Sequence, residues 1–265
     1  MDNIRKYLLT VIAALGLLSA ISSQSSQVKA DTTAVDVGAG QPATSNANVT
    51  LTDGGLQVTA SEDFTFEPRP LGSASYMTFS DPLTLEPTYT DYASAPERMV
   101  TVTNRTTSEG WTLSAQLSQF EHRADVDSAW TAFDGITSLD LNQATIYQGG
   151  LINRDTSGAP DEFVTMSQDL TNAPNAFQAT ETTPFVLQPA TGGNPPTKPS
   201  GAADDYAPSF GPEQKIWQAD PDKGYNAWSL VFDSQNAMRL EFPMANQQVG
   251  DYHALIRWIA TVGIN

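Results

Sequence analysis

The tightest constraint on this chain is a strict two-residue alternation. In residues 110–120, G-W-T-L-S-A-Q-L-S-Q-F, the residues Trp111, Leu113, Ala115 and Leu117 are apolar or small. Thr112, Ser114, Gln116 and Ser118 are polar between them. A period of two gathers the first set on one face of an extended strand, whereas a helix would scatter it. Residues 252–264 repeat the pattern. Tyr252, Ala254, Ile256, Trp258, Ala260, Val262 and Ile264 share one face; His253, Leu255, Arg257, Ile259 and Thr261 share the other. Each segment presents a Trp, and each would leave an apolar face in water without a partner. The two are therefore expected to meet in the fold, with residues 252–264 as an inner strand.

The rest of the chain reads as short strands punctuated by Pro and Gly. Residues 56–67, 76–79, 83–85, 99–103, 215–219, 227–232 and 238–243 fit strands, and Pro68, Pro70, Pro82, Pro87 and Pro96 break the early ones. That punctuation predicts an all-β fold, a β-sandwich or barrel-like domain with long irregular insertions. Residues 126–133 (V-D-S-A-W-T-A-F) fit one or two helical turns. Residues 139–147 alternate and then slip phase at Gln143-Ala144, which predicts a β-bulge or a break, with Gly149 and Gly150 ending the strand. Residues 177–188 fit a pair of strands interrupted at Pro184. Residues 189–212, rich in Pro and Gly, read as an exposed loop.

The beginning of the chain resembles a secretory signal. Arg5 and Lys6 precede an apolar stretch at 7–21, and Val28-Lys29-Ala30 offers a small-residue cleavage site before Asp31. The expected organisation is a signal peptide at 1–30, a flexible small-polar leader at 31–48, and one β domain at 49–265. Cysteine is absent, so neither a disulfide framework nor thiolate chemistry is available to an exported chain of this kind. The formal net charge is −17; removing the expected signal peptide's net +2 leaves −19. Such a surface repels nucleic acid and anionic lipid, and excludes both as partners.

Trp111-Thr112-Leu113 reads W-x-L, with Val102-Thr103-Asn104-Arg105 before it and S-A-Q-L-S-Q-F after it. The stretch G-D-Y-H-A-L-I-R-W-I-A near residue 260 is similar to a second motif, G-x-Y-x-A-x-x-x-W-x-L. Together, from about residue 46 onward, they resemble the WxL-domain surface proteins of Gram-positive bacteria. One position departs from the pattern: Ala260 stands where the family has Leu. The resemblance implies a cell-wall or cell-surface location and non-covalent attachment to peptidoglycan. It also implies company, namely other WxL proteins and a membrane-anchored partner protein. A structural subunit whose motifs serve only assembly, and an adhesin for host glycans or matrix, are the alternatives.

The expected peptidoglycan-binding residues are Trp111, Leu113, Tyr252 and Trp258. Trp on an alternating strand is either core or, with its face open, a stacking platform for a pyranose; the sequence leaves both readings open. Asp220-Pro-Asp222-Lys-Gly224-Tyr-Asn226 has oxygen donors at spacing two, but it lacks the terminal Glu of a calcium loop and fits a turn. His122 and His253 have no supporting ligands in the sequence. No G-x-S-x-G, H-E-x-x-H or G-K-[ST] motif occurs, so no catalytic residues, metal or cofactor are assigned.

Overall fold

The computed structural model describes residues 27–37, 56–60, 64–105, 109–152, 162–202 and 206–263, the first of these segments as backbone. Among the described residues, seventeen strands and two short 3-10 turns make up the regular structure, in three sheets that are almost wholly antiparallel. The all-β expectation holds.

One sheet carries both motif strands. β7 (Trp111–Leu117) pairs antiparallel with β17 (Asp251–Val262), with Trp258 opposite Ala115 and Val262 opposite Trp111. The outer side of β7 holds β14 (Gln214–Ala219), which ends the sheet. The other side of β17 holds β1 (Gln27–Val37), which pairs in parallel with β3 (Phe64–Thr65). Beyond β7 the chain turns into β8 (Phe120–Arg123), which pairs with residues 251–253 and with β9 (Thr131–Phe133).

A second sheet runs β2 (Leu56–Ala60), β6 (Met99–Asn104), β15 (Asn226–Val231), β11 (Thr145–Ile152), β12 (Glu162–Ser167), β5 (Thr88–Tyr89). A third runs β13 (Phe185–Leu187), β10 (Ser138–Leu141), β16 (Met238–Glu241), β4 (Tyr76–Met77). The main core lies where the three meet. Trp111, Leu113, Ile256 and Trp258 from the motif sheet join Val58, Val102 and Trp228 from the second and Leu139 and Leu240 from the third. A smaller core of Tyr89, Met99, Tyr147 and Met166 covers the opposite face of the second sheet. All six residues of β6 are consequently buried, although its sequence alternates.

Several local expectations are corrected. Residues 126–133 form no helix. The Asp125 carboxylate accepts from the Asp127 N–H (3.1 Å) and the Ser128 hydroxyl (2.8 Å), an Asx turn that competes with helical hydrogen bonding and leads into β9. The phase slip at Gln143-Ala144 is a change of sheet, because β10 and β11 lie in different ones. Gly149 and Gly150 do not end β11. They form a bulge within it, at φ of 99° and 138°, where the Thr165 backbone and the Ser229 and Thr101 hydroxyls leave no room for a Cβ. The bulge is satisfied internally. The Ser229 hydroxyl donates to the Gly149 carbonyl (2.7 Å), and the Leu151 N–H donates to the Thr101 hydroxyl (3.2 Å). Residues 83–85 form no strand, and only 185–187 of the stretch 177–188 do.

The backbone of residues 31–37 departs from the expectation of a structureless leader, since β1 pairs along β17 from Val37–Tyr252 to Gln27–Thr261. Backbone ladder bonds supply there the order that small polar side chains cannot supply by burial. The remaining leader residues, 38–48, and most of the expected signal segment lie outside the described residues.

Candidate functional site

All four residues singled out in the sequence lie in the core. Trp111, Leu113 and Trp258 have no exposed surface, and Tyr252 keeps 2 %. The alternation that reveals them is also the cause, because the even face of β17 and the odd face of β7 turn together toward the two other sheets. The Trp111 indole N–H donates to the Gly224 carbonyl at 3.1 Å, which satisfies its one polar atom, and its ring meets Trp217 edge-on at 5.0 Å. Trp258 packs against Phe64 and Phe232 at 6.5 Å. Opposite Val262 and Ala115 respectively, the two indoles are offset by four residues along β17, about 13 Å at strand rise. They line no common groove, and neither offers an open face to a sugar.

Tyr252 packs among His122, Phe133 and Phe242, with ring centroids 4.8, 5.0 and 4.8 Å away. Its hydroxyl donates to the Gln248 carbonyl (2.7 Å) and accepts from the Gln248 N–H (2.8 Å). Burial pushes its pKa up, partly offset by the hydrogen bond to Gln248. Its ring also forms the floor of a cavity of about 230 Å³, rimmed by Pro68, Arg69, Leu71 and Val249. Leu71 and Val249 are 54 % and 71 % exposed, the latter the most open large apolar residue among those described.

The D-P-D-K-G-Y-N segment is a turn with a packing role. Lys223 N–H donates to the Asp220 carbonyl (3.0 Å) and Gly224 N–H to the Asn172 carbonyl (2.9 Å). Gly224 adopts φ +62°, and a Cβ there would lie 2.7 Å from the Trp111 indole nitrogen. This turn therefore presents the carbonyl that Trp111 needs. Among the described residues, no group of His, Asp and Glu side chains is placed to hold a metal ion.

On the other face of the motif sheet, Glu121 is buried, its side chain 1 % exposed. Its carboxylate accepts from the Thr197 N–H (2.9 Å) and hydroxyl (2.7 Å), and His253 Nδ1 lies 3.4 Å away. The irregular loop of residues 189–202 is thus tied to β8 by one carboxylate. Trp130 leans on His253 (5.6 Å), with the Arg123 guanidinium over its ring (4.5 Å).

A second concave surface, larger than the cavity at Tyr252, is one that sequence reasoning missed. β13 and β14 are each the last strand of their own sheet. Between them, with residues 175–178, lies an open cleft of about 620 Å³, a volume in the range of ligand sites. Its lining combines Asn175, Gln178 and Gln218 with Phe185, Lys215 and Trp217. The cleft stands directly behind the W-x-L strand. Trp217 pairs with Leu113 across the sheet, packs on Trp111, and donates its indole N–H to the Asn175 carbonyl at 2.7 Å.

A family model described as the WxL domain, surface cell wall-binding, matches residues 33–261. The chain belongs to the WxL-domain family. It is accordingly a cell-surface protein with a cell-wall-binding domain, and both motifs fall inside the matched region. Neither curated proteins nor solved structures give a match. The W-x-L and G-x-Y motifs of this WxL domain act as the inner wall of the fold. One strand further out, β14 borders the cleft described above. No alternation or spacing signals it, because it arises where two sheet edges approach from distant parts of the chain.

Proposed function

We propose that this WxL protein attaches non-covalently to the cell wall by binding peptidoglycan, as a non-catalytic component of a surface protein complex exported by its amino-terminal signal segment. The observation that carries the reading is the wall-binding family match across 33–261, which spans all three sheets. The cleft between β13 and β14 supports it, with a volume in the range of ligand sites and three amide side chains, Asn175, Gln178 and Gln218, set among apolar residues. Trp111, Leu113 and Trp258 serve by holding β7, β14 and β17 in register behind that cleft; Tyr252 serves at the opposite end of β17.

A second reading, assembly with other WxL proteins or a membrane-anchored partner, draws on the cavity at Tyr252. Its volume is below that of small-molecule sites, and its rim of exposed Leu71 and Val249 suits one apolar side chain from another protein. Co-sedimentation of the purified protein with sacculi stripped of teichoic acid tests the first reading. Retention in the pellet without any other protein supports direct wall binding. Retention only when a partner surface protein is added supports assembly and removes direct binding.

A further inference from the structure

β14 is an edge strand. β7 covers its inner side, and no strand among the described residues covers its outer side. Such an edge is a template for one more strand, and folded proteins usually blunt or cover it. At one end this edge is closed, because the Asn175 N–H donates to the Gln218 carbonyl (3.0 Å). At the other end the Gln214 amide donates to the Lys215 carbonyl (3.0 Å), a contact an incoming backbone N–H can replace. Between these points a register shift separates Lys215 from Trp217, so Ile216 drops out of the ladder with β7. The cleft opens along this stretch, and β13, the edge of the third sheet, forms its far wall.

The lining discriminates between ligand chemistries. A pyranose is held by an open aromatic face, whereas Trp217 is 4 % exposed with its N–H already engaged and half-buried Phe185 is packed edge-on with Phe177 at 5.3 Å. A peptide is held by a sheet edge together with amides and a charge for its carboxylates. Asn175, Gln178 and Gln218 supply amides, and Lys215 places a cation at the cleft of a protein with 30 acidic and 13 basic side chains. We infer that this cleft takes the acidic peptide stems of peptidoglycan, laid as an added strand along the outer edge of β14 at residues 214–217, with the glycan strand left outside. The inference rests on the peptidoglycan reading above and specifies which part of the polymer is recognised.

Three probes separate the two levels: intact sacculi, the stem-free glycan strands released by an amidase and immobilised on beads, and the released stem peptides as soluble competitors. The expected result is retention on intact sacculi, loss of retention on the stripped glycan, and displacement by the free peptides. Equal retention on stripped glycan, with no displacement by peptides, overturns the stem assignment and leaves the peptidoglycan reading intact. Failure to bind intact sacculi overturns both. Lys215→Glu and Gln178→Ala lie at exposed positions and should melt with the wild type. Lys215→Glu is expected to weaken peptide competition by about tenfold or more, and Gln178→Ala by a smaller factor. Stem-dependent binding unchanged in both variants overturns the placement of the site in this cleft.

Discussion

Replacing Trp111 by Ala should destabilise the domain strongly and, if the proposed cleft is the site, leave the ligand contacts in place. The side chain has no exposed surface, so truncation opens a cavity in the main core at a cost of about 3–5 kcal/mol. The edge-on pair with Trp217 at 5.0 Å adds roughly 0.5–1.5 kcal/mol beyond the area lost. The Gly224 carbonyl, which accepts the indole N–H at 3.1 Å, loses a buried partner. Because these contributions overlap, a total of about 4–6 kcal/mol is expected, against a typical domain stability of about 5–15 kcal/mol. At roughly 2–4 °C per kcal/mol for a domain of this size, Tm should fall by about 10–20 °C. Trp111→Phe keeps most of the ring volume and loses the hydrogen bond, so about half that fall is expected. The assay is thermal unfolding by circular dichroism, run beside sacculus co-sedimentation at a temperature where each variant is still folded. The folded fraction of Trp111→Phe should pellet like the wild type. A Trp111→Ala variant that melts within about 2 °C of wild type would refute the burial argument. So would a Trp111→Phe variant with wild-type melting and no wall binding.

Other consequences concern polar groups in the fold. Ser229→Ala removes the donor to the Gly149 carbonyl inside the β11 bulge and should cost about 1–3 kcal/mol in a denaturant titration, whereas a substitution at exposed Tyr92 should be neutral. Glu121→Ala frees Thr197, so limited proteolysis should cut within residues 191–202 faster than in the wild type while the melting of the three sheets shifts little; an unchanged cleavage pattern would show that the loop is held elsewhere. Burial raises the pKa of both Tyr147 and Tyr252, so the folded state holds the neutral phenols more strongly than the unfolded chain does. Their contribution to stability is complete below the unfolded value of about 10 and is lost as pH rises through the higher folded values, so denaturant stability should fall above about pH 10, less steeply in Tyr147→Phe; a slope unchanged by that substitution would remove Tyr147 from the account.

Much of the fold was legible because burial in a sheet is written in period two. Residues 111–117 and 252–260 show it most clearly, and they are the two strands that lie side by side in the core. Legibility failed where a backbone group, and not a side chain, decided the outcome. Gly149 and Gly150 read as a strand end because Gly is usually punctuation, yet the Thr165 backbone and two buried hydroxyls keep the strand continuous through a bulge. Residues 126–133 read as one or two helical turns, and the carboxylate of the preceding Asp125 closed a turn instead. Residues 31–37 read as part of a small, polar leader, and their backbone nonetheless pairs along β17.

The same distinction explains why the motif and the proposed binding surface do not coincide. A Trp at a buried strand position is conspicuous in sequence, since its neighbours must alternate to keep it buried. A sheet edge that receives another backbone requires no particular side chain at the contact, only that no strand of the chain itself occupies it. The W-x-L strand can therefore be identified from its letters, while the edge of β14 becomes visible only once β7 is seen to fill one side and β13 to stand across the other. Trp217 connects the two. It carries the packing of Trp111 outward to the Asn175 carbonyl, so the motif acts on the cleft through one intermediate ring. A substitution at Trp217 should thus disturb both melting and wall retention, one at Trp111 mainly melting, and one at Lys215 mainly retention. That ordering follows from depth alone, from core to wall to rim.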